Sequence, residues 1–166
     1  MRRRENRKSL WIIRHGLAAP SLQMPDFERP LTLQGQEQAA VVARAIRSTT
    51  GVPEFVLTST ALRAIATAKL IAGESSAVVL EQDHIYMASA DELLVAARSI
   101  PHEIRSAAIV GHNPGISHLA NSLAGQTEYR LPPSGAVCFD VTTPWADMGS
   151  TRLHVNRFIK PGENSS

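Results

Sequence analysis

Cysteine is almost absent from this chain: one residue, Cys138, in 166. A single thiol excludes an internal disulfide and cannot supply a cysteine-rich metal site. It lies in the apolar, strand-like run "AVCFDV", where an inert buried group is expected. Long hydrophobic runs are missing too. Nothing approaches the roughly 20 apolar residues of a membrane-spanning helix, so no membrane association is expected. The apolar stretch behind the basic N-terminus, Leu10 to Ile13, is broken at once by Arg14, which argues against a signal peptide. Net charge is small, +2, although the sequence pI is about 9.0. Much of the basic excess is local, because "RRRENRK" at residues 2–8 holds five basic residues and one acid. A flexible, solvated terminus is expected there rather than a nucleic-acid arm, so no nucleic-acid partner is expected. Internal repeats, low-complexity blocks and linkers are lacking as well. What remains is an ordinary globular balance, 43% hydrophobic and 19% charged. The length suits one domain, placed at residues 9–160 with a loose tail at 161–166. A cytoplasmic protein fits these features.

Short apolar runs alternate with helical patterns. Leu10 to Ile13, Phe55 to Leu57, Val78 to Leu80 and Ala107 to Val110 lack polar alternation, which predicts strands buried on both faces of a parallel sheet. Between them, "TLQGQEQAAVVARAIRS" starts at a cap, Thr32, and "STALRAIATAKLIAG" can cap at Ser59 or Thr60 and stop at Gly73. "SADELLVAARS" carries a capping box, Ser89 with Glu92. "NPGISHLANSLAG" offers Asn113 as cap, Pro114 at the first helical position and Gly125 past the end. The last third, "AVCFDVTTP" and "TRLHVNRF", predicts a hairpin at one side of the sheet. The expected fold is therefore α/β, a three-layer α/β/α sandwich with a mainly parallel central sheet and a C-terminal hairpin.

Such sheets bind ligands near the carboxyl ends of their strands. Three stretches put unusual side chains there. Arg14 and His15 follow the first strand, Arg63 follows "VLTSTAL" in the first turn of a helix, and His112 follows "AIVG" just before another helix. Two arginines and two histidines beside two helix N-termini would make an electropositive crevice rich in N–H donors, a description of an oxyanion or phosphate site. Rival phosphate chemistries lack their parts. No G-x-x-x-x-G-K-[ST] occurs, and no glycine-rich loop with an arginine follows Cys138. His112 and His118 do not share a helical face, and metal-ligand spacing is absent elsewhere, so no metal is expected.

"RHG" after the first strand, "LTSTALRAIATA" and "VGHNPGI" resemble, in this order, the three signature blocks of the histidine phosphatase superfamily, whose fold is phosphoglycerate mutase-like. The short chain, "RPLTLQGQEQA" and "HIYMASADELL" resemble its small SixA-type phosphohistidine phosphatase branch. The resemblance covers residues 9 to 142. It implies that His15 is the nucleophile, forming a transient phosphohistidine, with its other ring nitrogen donating to a backbone carbonyl. It further implies that Arg14 and Arg63 hold the phosphoryl oxygens, that a charged His112 adds a donor, and that no metal or organic cofactor is required.

Larger relatives also carry a carboxylic acid that protonates the leaving group, and here its place is open among Glu81, Asp83 and His84. Arg29, His84 and Asn113 complete the residues expected to bind substrate. Short connections between the blocks imply an open crevice suited to a phosphorylated protein side chain. A small phosphorylated metabolite, handled by a broad-specificity phosphomonoesterase, and a non-catalytic phosphate-binding module are the alternatives. The sequence leaves the oligomeric state open.

Overall fold

A computed structural model describes residues 7–162. Six strands form one sheet: β1 (Lys8–Arg14), β2 (Phe55–Ser59), β3 (Val78–Gln82), β4 (Ser106–Gly111), β5 (Ala136–Val141) and β6 (His154–Ile159). Their order is β3-β2-β4-β1-β5-β6. The first four are mutually parallel, whereas β5 runs antiparallel to both β1 and β6, which is the expected C-terminal hairpin. Its two strands are joined through a 3-10 turn at Trp145–Asp147.

Alternation along the central strands divides the core in two, as the two-residue period of a strand requires. Leu10 and Ile12 of β1 face one layer, together with Ile109, Val137 and Phe139. Helices α3 (Ala90–Arg98) and α4 (Gly115–Ala124) close that layer through Leu93, Ala97, Ile116 and Leu119. Trp11 and Ile13 face the other, which α1 (Leu33–Thr50) and α2 (Leu62–Ala72) cover with Val42, Ile46, Ala64 and Ala68. The result is the three-layer sandwich expected. Strand β3 differs from its reading as a doubly buried strand. It is the sheet's edge, and Val78 and Leu80 are 52% and 39% exposed.

Helix ends follow the sequence in part. Thr32 accepts from the Gly35 N–H at 2.9 Å, the Ser89–Glu92 capping box forms, and Gly125 closes α4 in the left-handed conformation. Two caps do not form. Ala61 precedes α2 and Pro114 precedes α4, neither with a side-chain cap. Neither Ser59 nor Thr60 caps α2: Ser59 Oγ accepts from the Ala61 N–H at 3.1 Å and meets His112 at the cleft, and Asn113 is likewise drawn into a tertiary hydrogen bond. The basic segment falls mostly at residues 1–6, outside the described residues, but Lys8 already pairs with Val141 in the sheet. The tail at 163–166 also lies outside them. Among the described residues no helix is long and apolar enough to cross a membrane, and no cluster of side chains could hold a metal ion.

Candidate active site

The carboxyl ends of β1, β2 and β4 meet at an open cleft of about 450 Å³. Arg14, His15, Arg63 and His112 all line it, together with Arg29 and Asn113. The two histidines and Arg63 are nearly excluded from solvent, at 8%, 3% and 2% exposure, although they carry polar heads. Burial of such groups is costly unless they are paired, so their partners are informative.

His15 is fixed by the turn that follows β1. Its Nδ1 lies 2.7 Å from the Gly16 carbonyl oxygen. A carbonyl only accepts, so the proton sits on Nδ1 and Nε2 keeps a lone pair. Gly16 is itself anchored, its N–H donating to Thr67 Oγ1 at 2.9 Å, and a Cβ there would crowd Leu31 and Ser134. The free Nε2 faces Arg63, whose Nε donates to it at 3.4 Å. The same guanidinium reaches His112, with Nη2 donating to Nδ1 at 3.3 Å. Since Arg63 has only donors, His112 carries its proton on Nε2 and donates it to Ser59 Oγ at 2.8 Å. The two imidazole rings stand 4.9 Å apart between centroids.

Both histidines are held neutral. Burial, then the neighbouring Arg63 and Arg14 charges, push His15 down to about 4, with the Gly16 hydrogen bond opposing them. Burial first, then His15 and Arg63, push His112 down to about 3. The charged His112 expected from the sequence is thus not the state of the free site: burial beside another histidine and a guanidinium disfavours a second cation. Arg14 sends Nη1 to the Leu131 carbonyl at 3.1 Å, but its buried Nε has no hydrogen-bond partner. A buried N–H left without a partner, in a residue that lines the cleft, is a donor still to be satisfied.

The other expected site residues divide. Asn113 lies at the rim, where Nδ2 donates to Leu131 O at 3.0 Å and Oδ1 accepts from Ser117, bracing α4 against the segment before β5. Arg29 lines the cleft, with Nε and Nη2 on the Asp26 carboxylate and Nη1 on the Ala19 carbonyl. His84 is not brought in. With Asp83 it sits exposed on a 3-10 turn (Asp83–Ile85), and Tyr86 and Met87 take the wall instead. Glu81 is exposed on the edge strand. None of the three acids or bases considered for protonating the leaving group lines the cleft.

Two residues escaped the sequence reading: Asp26 and Tyr86. Asp26, on a 3-10 turn (Asp26–Glu28), is the one carboxylate among the lining residues. Hydrogen bonds from Tyr86, Arg63 and Arg29 hold its carboxyl far below the usual carboxylate range. Tyr86 also sets its ring edge-on to His112, 5.3 Å away. The sequence offered "DFERP" as a signal only through its arginine; nothing local says that Asp26 meets Arg63.

Comparisons with known proteins agree with this geometry. Residues 10–85 match the family model of the histidine phosphatase superfamily (branch 1). A protein of Mycobacterium leprae (strain TN), described as uncharacterized, is 29% identical over 129 residues, 72% of this chain and 79% of its own length. Among solved structures, one from Nakamurella multipartitia, assigned as a phosphohistidine phosphatase SixA, superposes with a TM-score of 0.83 at 23% identity, covering 94% of this chain and 97% of that one. The protein histidine phosphatase SixA complexed with tungstate gives 0.78 at 21% identity, covering 92% and 97%. The RHG strand end thus lies within the segment that matches the histidine phosphatase superfamily model, and the fold as a whole is the one that SixA structures share.

Proposed function

We propose that the cleft is a phosphoryl-transfer site in which His15 is the nucleophile and a phosphohistidine of another protein is the substrate. The observation that carries this reading is the state of His15: Nδ1 is locked on the Gly16 carbonyl, leaving a neutral Nε2 lone pair among guanidinium donors. In the first step Nε2 attacks phosphorus, the N–P bond of the substrate breaks, and the released imidazole leaves as a neutral group. Arg14 Nε and the Arg63 guanidinium stabilise the charge on the three transferring oxygens, which is most of what phosphoryl transfer asks of a protein. Water then attacks the phosphorus carried on Nε2, an O–P bond forms as the N–P bond breaks, and inorganic phosphate leaves with His15 restored as the neutral imidazole.

The choice of phosphohistidine rests on protons. An ester needs an acid to protonate its alkoxide, and the only lining carboxylate, Asp26, is held ionised. A phosphohistidine protonated on its imidazole brings its own leaving-group proton. The SixA-like fold and the open cleft support the same choice. The test compares hydrolysis of phosphohistidine, an aryl phosphate and an alkyl phosphate by the same preparation. The phosphoramidate should turn over fastest and the alkyl ester slowest. Equal rates on the alkyl ester would establish a phosphomonoesterase of broad range, and phosphate binding without turnover would establish a binding module.

A further inference from the structure

Asp26 is bound from three sides. Its Oδ2 accepts from Arg63 Nη2 at 2.8 Å and from the Tyr86 hydroxyl, and its Oδ1 from Arg29 Nε at 3.0 Å. Its backbone carbonyl accepts from Arg63 Nη1 at 2.6 Å. The guanidinium of Arg63 therefore has its outer edge, Nη1 with Nη2, gripped by one residue. Its other edge, Nε with Nη2, faces the two histidine nitrogens at 3.4 and 3.3 Å. These second contacts are long, and charge-assisted bonds to phosphoryl oxygens form at roughly 2.7–2.9 Å. A phosphoryl group on His15 Nε2 would replace the long contacts and leave the short ones in place.

From this division of edges we propose that Asp26 is a positioning residue for the reaction: it grips the outer edge of Arg63 so that the inner edge is aimed at the transferring phosphoryl group. Arg29 and Tyr86 hold the carboxylate in turn, so four side chains from three segments form one brace. The inference rests on the phosphatase reading. It has an opposite, equally physical alternative, because a carboxylate on Arg63 also cancels charge and competes with an incoming anion. The two differ in sign.

The experiment uses Asp26→Asn, which keeps the size and lies at a position whose side chain is 41% exposed. The asparagine amide must turn a donor toward Arg63, Tyr86 or Arg29, so the grip loosens. Positioning predicts that kcat on phosphohistidine falls by about 10–100-fold, the scale of a small misplacement, with KM changed much less. Orthovanadate, measured by calorimetry, should bind more weakly to the variant. In an Arg63→Lys background the same change should cost little further, because Asp26 acts through Arg63. Tighter vanadate binding with kcat kept or raised would overturn the proposal in favour of competition. Losses that simply add in the double variant would overturn it in favour of a role in the fold. If the wild-type protein hydrolyses none of the substrates, the phosphatase reading fails on its own, and the vanadate comparison still decides what Asp26 does to the anion site.

Discussion

His15 carries the reading at the scale of one residue, because its proton must be absent from Nε2 for it to attack. With His15 held down to about 4, kcat/KM should stay level from neutral pH to near pH 5 and fall as pH drops through about 4. A profile breaking near 6.5 would show an unshifted histidine and remove the burial argument. Stability moves in the same direction. Both histidines bind protons more readily unfolded, near 6.5, than folded. Their contribution is therefore full above about pH 6.5 and is lost as pH falls toward 4 for His15 and 3 for His112. The ionised Asp26 adds a loss at still lower pH, so denaturant midpoints should decline steadily on acidification. Substitution separates chemistry from binding. His15→Ala should abolish turnover while vanadate still binds, since both arginines remain. Arg63→Lys keeps the charge but loses the two-edged fork, and should lower kcat/KM by about 2–4 kcal/mol. A His15→Ala protein with near-normal turnover would mean that the crevice only binds anions.

At the scale of elements, the caps show which parts of the sequence speak locally. Thr32, Ser89 with Glu92, and Gly125 were readable because each finds its partner within one turn of its own helix. Ser59 and Asn113 have the same chemistry and were misread. Their side chains are claimed by His112 Nε2 and by Leu131, partners far away in sequence. Asp26 was invisible for the same reason: it lies in a loop without periodicity and meets Arg63 only in the fold. The β3 run looked buried because its apolar content says nothing of its place at an edge. A local cap should also be locally replaceable. Ser89→Ala should cost about 1 kcal/mol in equilibrium unfolding and leave kcat/KM unchanged, since no residue of α3 lines the cleft. Gly115 stands in contrast. A Cβ there would overlap the Ala88 carbonyl oxygen, so Gly115→Ala should cost several times more and disturb His112, three residues before it.

For the whole molecule, strand content and layer count were readable from period and length, whereas strand order was not, because pairing partners leave no trace in single segments. The order has a consequence in time. Strand β1, with Arg14 and His15 at its end, pairs on one side with β4 and on the other with β5: Leu10 lies beside both Ala107 and Phe139. As the chain emerges from a ribosome, β1 must wait for residues near Val141 before both its edges are covered. Until then His15 lacks the strand on its second side and the turn at Ser134 whose N–H binds the backbone carbonyls of Arg14 and His15. Contacts this distant in sequence make assembly slow and concerted. Nascent chains truncated ahead of β5 should therefore be inert rather than partly active, and in refolding the recovery of vanadate binding should coincide with global structure instead of preceding it. On the proposed reading the site switches on once, when β5 takes its place, and cannot strip phosphate before then.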